Sequence, residues 1–224
     1  KQILEYKDHP ALLAWVIGNE LNHQNDNKKV WIAVNDISKM IHKIDGNHPT
    51  TTTFAGFSKE NADDFKQYCT DLDFISIQMY GDIINLQKKI KSANYEGPYM
   101  ITEWGATGHW EMPSTKWGVP IEQTSTEKAR SVKERWEKAI DVDQNNCLGS
   151  YIFLWGQKQE RTPTWYGLFT ENNDEIAVID VMHEIWTGKK PKNKCPSLDT
   201  ILLSNKSRFE NVILDAAEES KLHI

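Results

Sequence analysis

Leu12-Leu13-Ala14-Trp15-Val16-Ile17-Gly18-Asn19-Glu20 is an apolar run of strand length that ends on a glycine, an amide and a carboxylate. With no helical period, it predicts a strand covered on both faces, the usual state in a parallel sheet. Pro98-Tyr99-Met100-Ile101-Thr102-Glu103-Trp104-Gly105 repeats the design, with apolar residues followed by Glu and, two places on, Gly. Two strands therefore each end in a glutamate, at the end where a parallel barrel gathers its reactive groups. Either glutamate alone reads more readily as the start of a solvated loop, and the pair is the more specific signal.

Outward from the first strand, Lys1 to Lys7 reads as the last turns of a helix, broken by Asp8-His9-Pro10. After Glu20 comes a polar loop, Asn22-His23-Gln24-Asn25-Asp26-Asn27, in which His23 reads as solvated. The next helix carries Trp31, Val34, Ile37, Ile41 and Ile44 on its apolar side and is expected to stop at Gly46. Pro49 to Phe57 is β-branched and suits a second strand, followed by a polar helix with Phe65 and Tyr68 on one side.

In Phe74-Ile75-Ser76-Ile77-Gln78-Met79-Tyr80, alternation assigns Ile75, Ile77 and Met79 to the covering helices. It leaves Phe74, Ser76, Gln78 and Tyr80 on an inward, mixed face, with Gln78 and Tyr80 near the mouth. A short helix around Ile83 to Ala93 precedes the strand ending in Glu103, and alternation places Tyr99, Ile101 and Glu103 on one face. A long loop, Gly105 to Gln123, carries His109, Trp110 and Trp117 and has the length of a functional loop.

Thr124-Ser125-Thr126-Glu127 offers a capping box for a helix buried through Ala129, Val132, Trp136 and Ile140. Leu148 to Trp155 is the fifth strand, with Tyr151, Phe153 and Trp155 on one face. A last helix, with Ile176, Ile179, Met182, His183 and Trp186 inward, stops at Gly188. The alternation of strands and helices predicts a parallel α/β architecture.

The chain has 224 residues, 26% of them charged, and a formal net charge of −6. No basic surface argues for nucleic acid and no polybasic patch for a membrane, so a neutral or weakly charged partner fits better. Nine tryptophans exceed ordinary core needs, and a flat indole face suits the C–H face of a sugar as well as it suits a core. Cys69, Cys147 and Cys195 make no Cys-x-x-Cys pair, which leaves room for one disulfide but indicates no framework. No apolar run is long enough to span a bilayer. Beyond Gly188, Lys189 to Lys194 is a basic, Pro-containing linker. Residues 195–224 hold short β-prone pieces that read either as the opening of a small appended β-sandwich or as a tail packing back.

Trp15-Val16-Ile17-Gly18-Asn19-Glu20 and Ile101-Thr102-Glu103-Trp104-Gly105 resemble the acid/base and nucleophile motifs of retaining glycoside hydrolases with (β/α)8 barrels, most closely the barrel domain of family 2. The resemblance implies a TIM barrel of which residues 1–188 hold the second portion, strands four to eight, in a chain excerpted from a longer protein. It implies Glu20 as proton donor, Glu103 as nucleophile, Asn19 on the sugar 2-hydroxyl, Tyr80 on Glu103 and Trp155 as a platform beneath the sugar. Gln78 and Trp110 join them as candidate substrate contacts. Strict alternation cannot face both Asn19 and Glu20 inward, so a bulge or the strand end must intervene.

Two carboxyls flanking a glycosidic bond can protonate the leaving group and capture the sugar carbon, with no metal and no cofactor required. Hydrolysis of β-linked oligo- or polysaccharides is the expectation. A β-glucan transglycosylase using the same residues, and a carbohydrate-binding barrel without activity, remain as rivals. Substrate size implies residence outside the cytoplasm.

Overall fold

The computed structural model describes residues 1–24, 26–198, 200–217 and 219–223; Asn25 of the predicted polar loop and Asp199, Glu218 and Ile224 of the tail lie outside the described residues. Two compact units divide the chain, residues 1–104 with 137–152 and residues 105–136 with 153–224.

The first unit opens with α1 (Gln2–Tyr6) and then alternates β1 (Trp15–Val16), α2 (Lys29–Ile44), β2 (Thr50–Ala55), α3 (Lys59–Tyr68), β3 (Phe74–Gln78), α4 (Leu86–Ser92), β4 (Tyr99–Gly105) and, after α5 of the second unit, β5 (Cys147–Phe153). The five strands form one parallel sheet in the order β1-β2-β3-β4-β5. A sheet in which every strand lies beside its predecessor, with no reversal of direction, is wound like a barrel and unlike a doubly wound open sheet.

The β2–β3 register pairs Thr53 with Ser76 and Ala55 with Gln78, so Thr51, Thr53, Ser76 and Gln78 share a face. The opposite face carries Phe54, Ile75 and Ile77, all fully buried, with the Phe54 ring 4.9 Å from that of Trp31 on α2. The inward and outward assignments made from alternation in Phe74 to Gln78 agree with this division, but the expected common face of Tyr99, Ile101 and Glu103 does not form: Tyr99 and Ile101 pair with Ile75 and Ile77, and the register shift sets Glu103 beside Gln78. The strand beginning at Leu12 does not reach its expected length, and Val16 is 52% exposed, because β1 ends the sheet and has a neighbour on one side only.

Two expectations for α2 are corrected. Its buried stripe runs through Trp31, Val34, Ser38 and Ile41, leaving Ile37 exposed. Ser38 takes the inner place because its hydroxyl bonds Thr50 Oγ1 at 2.7 Å and the Asp71 carboxylate at 2.8 Å. The helix is stopped by Asp45 in an extended conformation instead of by Gly46. The Asp45 carboxylate accepts from Trp15 Nε1, the Asn47 N–H and His48 Nδ1. Burial opposes its charge, but these donors outweigh it and hold the group at about 2.

The second unit holds α5 (Ser125–Arg135) and α6 (Ala177–Thr187). The predicted capping box forms, with Thr124 N–H donating to Glu127 Oε2 at 2.7 Å and Glu127 N–H to Thr124 Oγ1 at 3.3 Å. Gly188 ends α6 at φ +67°, as its position predicted. His183 and Trp186, expected inward, are exposed; the buried side of α6 runs through Ala177, Val178 and Met182. Trp136, just past α5, is only half-buried, while Lys128 and Arg135 of α5 are buried.

Both buried cations have partners that explain them. Arg135 donates to Gly105 O and Thr107 Oγ1, each at 2.6 Å. Lys128 Nζ donates to Glu122 Oε1 and Thr164 O, each at 2.5 Å, and Glu122 also accepts from the hydroxyls of Thr162 and Thr164. Lys128→Met is expected to lower the stability of the folded chain by about 3 kcal/mol, because it leaves a half-buried carboxylate with hydroxyl donors alone. Denaturant unfolding of the two proteins checks this. Burial alone would raise the Glu122 carboxyl, yet the bonds from Lys128 and the two threonines hold it below its ordinary value. Its stabilising contribution is therefore present above the unfolded-state carboxylate pKa and lost as pH falls through the folded-state value.

The tail lies on this unit. Cys195 N–H donates to Asp180, Leu198 N–H to Thr126 Oγ1, and Arg208 forks onto the Glu127 carboxylate at 2.7 and 2.8 Å. Strands β6 (Leu202–Leu203) and β7 (Leu222–His223) pair antiparallel. All three cysteines are free thiols. No helix among the described residues is long and apolar enough to cross a membrane.

Candidate active site

The first unit gathers the candidate site at the C-terminal ends of β1, β3 and β4. The ladder on β1 continues to Ile17, whose N–H donates to Thr51 O at 2.7 Å, and then the chain turns. Gly18 makes the turn at φ +77°, and a Cβ there would lie 2.5 Å from Leu21 Cδ1, so the position requires glycine. Glu20 follows at φ +49°, a left-handed conformation that non-glycine residues seldom adopt. The strand end, not a bulge, is thus what intervenes around Asn19 and Glu20.

Asn19 Oδ1 accepts from Gln78 Nε2 at 2.8 Å and from Thr53 Oγ1 at 3.3 Å. Gln78 stands opposite Glu103 because the β3–β4 register shifts between Ile77 and Gln78, where β4 advances two residues against one. The bulge aims Glu103 beside Gln78, and Met79 N–H closes the pairing on Glu103 O at 2.9 Å. Tyr80 then donates its phenolic O–H to Glu103 Oε1 in a short hydrogen bond. Asn19, Gln78, Tyr80 and Glu103 are in this way tied together through side-chain and register contacts, and Glu20 follows Asn19 in the chain.

The two carboxyls have different surroundings. Glu20 is raised above the ordinary glutamate value, first by burial and then by the charge of Glu103, with His23 acting in the opposite direction. Glu103 instead holds a phenol donor on one oxygen. Gln78 is 6% exposed, and its Oε1, buried from solvent, has no hydrogen-bond partner among the described residues.

Trp110 and Trp155 belong to the second unit. Trp110 is 62% exposed, with the His109 ring edge-on to it at 5.0 Å. Trp155 is 61% exposed and packs near Phe169 at 5.0 Å and Trp186 at 5.8 Å. Trp165, within the segment Arg161 to Tyr166, is 2% exposed and donates its indole N–H to Thr107 O, a packing role. Among the described residues, no group of three or more His, Cys, Asp or Glu side chains is placed to hold a metal ion.

Two residues that sequence reasoning passed over help to shape the site. Thr53 Oγ1 accepts the Glu20 N–H at 2.9 Å. Asn22 clasps Ala55 from both sides, accepting its N–H at 2.8 Å and donating to its carbonyl at 3.0 Å. Alternation along the threonine run of β2 places Thr53 on the same face as Thr51, a signal that β-propensity alone does not use.

No protein-family model and no curated protein sequence matches the chain. Solved structures do. A calcium-binding mutant of β-glucuronidase 2 from Bacteroides uniformis matches with a TM-score of 0.60 and 14% identity, over 90% of this chain and 25% of that one. A glycosyl hydrolase family 2 member from Bacteroides cellulosilyticus gives 0.54 and 12%, over 89% and 21%. A family 5 mannosidase from Rhizomucor miehei gives 0.56 and 13%, over 80% and 51%. This chain thus spans about half or less of the length of each of these three structures. Likeness at this level of identity rests on the path of the backbone, and the chain has the fold of part of a (β/α)8 barrel.

Proposed function

We propose that the chain carries the catalytic carboxyls of a retaining β-glycosidase resembling family 2, with Glu20 as acid/base and Glu103 as nucleophile. The observation that supports this most is the asymmetry of the pair, in which Glu20 is raised by burial and by Glu103 while Tyr80 holds Glu103 by a hydrogen bond.

In the first half-reaction Glu103 forms a bond to the anomeric carbon as the bond to the leaving oxygen breaks, and Glu20 transfers its proton to that oxygen. The charge on Glu103 disappears in the glycosyl-enzyme, which removes one of the causes that raise Glu20. Glu20, now a carboxylate, takes a proton from water as the water oxygen bonds to the anomeric carbon and Glu103 departs. Asn19, with its Oδ1 engaged by Gln78 and Thr53, has Nδ2 to offer a sugar hydroxyl, and Gln78 holds it in that orientation. On the second unit, Trp110 and Trp155 are exposed indoles of the kind that suits a sugar face. The substrate of this reading is a β-linked oligo- or polysaccharide, from whose size we infer residence outside the cytoplasm.

The test is turnover of a panel of aryl β-glycosides by the full-length natural protein. Release of phenol from at least one of them supports the reading. Sugar binding with no turnover on any glycoside or oligosaccharide would replace it with a binding role for the two glutamates. In the active protein, Tyr80→Phe removes a donor from the Glu103 carboxylate and is expected to lower kcat/KM about 10- to 100-fold, as loss of a hydrogen bond to a charged group does. Steady-state kinetics on the best aryl glycoside checks it.

A further inference from the structure

We propose that Thr53 is a positioning residue for the proton donor, its one hydroxyl group holding Glu20 and Asn19 together in the geometry that the reaction needs. The inference rests on the glycosidase reading above. Backbone pairing between β1 and β2 reaches the Ile17 N–H and then gives way to side chains of β2. Thr52 Oγ1 donates to Ile17 O at 2.7 Å, and Thr53 Oγ1, one residue on and from the other face, accepts the Glu20 N–H at 2.9 Å. Consecutive threonines thus hold the end of β1 from opposite sides.

The Thr53 hydroxyl has one hydrogen, directed to Asn19 Oδ1 at 3.3 Å, with Gly18 O farther off at 3.5 Å. Glu20 has a left-handed backbone at φ +49°, which sets its N–H away from the strand ladder and in need of a partner. Thr53 supplies that partner from a site only 2% exposed, where water does not readily take its place. Asn22, bonded both ways to Ala55, closes the far side of the same turn. One buried oxygen therefore sets the direction of Glu20 through its backbone and the orientation of Asn19 through its amide. Proton transfer in the transition state depends steeply on such placement.

The experiment compares the natural full-length protein with Thr53→Val, which keeps the shape and removes the hydroxyl, and Thr53→Ser, which keeps the hydroxyl and removes the methyl. Each is assayed on aryl β-glycosides of graded leaving-group acidity. Thr53→Val is expected to lose about 10- to 100-fold in kcat/KM on phenyl glycosides, the scale of a misplaced catalytic group. On dinitrophenyl glycosides, whose departure needs little proton assistance, the loss should be several-fold smaller, and Thr53→Ser should behave like the natural protein on both. If Thr53→Val does not fold, Thr53→Ser against Thr53→Ala carries the same comparison, since those two differ by the hydroxyl alone.

A loss equal across all leaving groups, or a serine variant as impaired as its hydroxyl-free counterpart, overturns the inference and leaves Thr53 a packing residue. Failure of the natural protein to turn over any glycoside overturns the glycosidase reading, and this inference with it.

Discussion

Glu103→Ala is expected to lower kcat/KM on aryl β-glycosides by on the order of 10⁵-fold, the scale felt when the nucleophile of a two-step mechanism is removed. The size of the effect follows from what the site leaves behind. Alanine takes away the only group proposed to bond the anomeric carbon, and the Tyr80 hydroxyl that donates to Glu103 loses its acceptor. The charge that helps to raise Glu20 goes too, although burial, the larger cause, remains. Glu20 would therefore still be raised by burial, and the loss would sit in the missing covalent step. Initial rates on a dinitrophenyl glycoside, in which protonation matters least, measure that step most directly.

Glu20→Ala has a different signature. Loss of a general acid and base costs about 10²- to 10⁴-fold, and it should fall hardest on substrates with poor leaving groups. With a dinitrophenyl glycoside, formation of the glycosyl-enzyme should proceed and its hydrolysis should slow, so the covalent form accumulates as a burst of phenol. The pH profile carries a second mark. In the natural protein kcat/KM should fall on the alkaline side as Glu20 loses its proton, at a pH above that of an ordinary glutamate because burial and Glu103 both raise it. In Glu20→Ala that alkaline limb should be absent. A profile identical in the two proteins would remove Glu20 from the role of acid.

The elements that could be read from the sequence are those in which local pattern and tertiary environment agree. Apolar runs ending in Glu20 and Glu103 marked two strand ends, alternation in Phe74 to Tyr80 sorted inside from outside, and Gly188 ended its helix. What was not legible depends on partners far away in sequence. Ser38 displaced Ile37 from the core side of α2 because Thr50 and Asp71 bond it, and nothing within the helix announces either. Lys128 and Arg135 are buried by a carboxylate, two carbonyls and a hydroxyl from outside the helix, none of which the helical pattern of Ala129 and Val132 announces.

The site divides in the same way. Its carboxyls and Tyr80 stand at strand ends that periodicity can find, whereas Thr53 and Asn22 act through hydrogen bonds to backbone atoms about 33 residues away, which no spacing rule encodes. The offset that sets Glu103 beside Gln78 is a register shift between two strands, a property of their pairing and not of either strand alone.

The central proposal, that Glu20 and Glu103 work from opposite faces of one anomeric carbon, is tested most directly by the configuration of the products formed when azide replaces each missing carboxylate. In Glu103→Ala, azide should enter from the face that the nucleophile occupied and give the inverted glycosyl azide. In Glu20→Ala it should intercept the glycosyl-enzyme from the other face and give the retained one. The same configuration from both variants, or rescue of neither on a substrate that the natural protein hydrolyses, would contradict the assignment of these two glutamates.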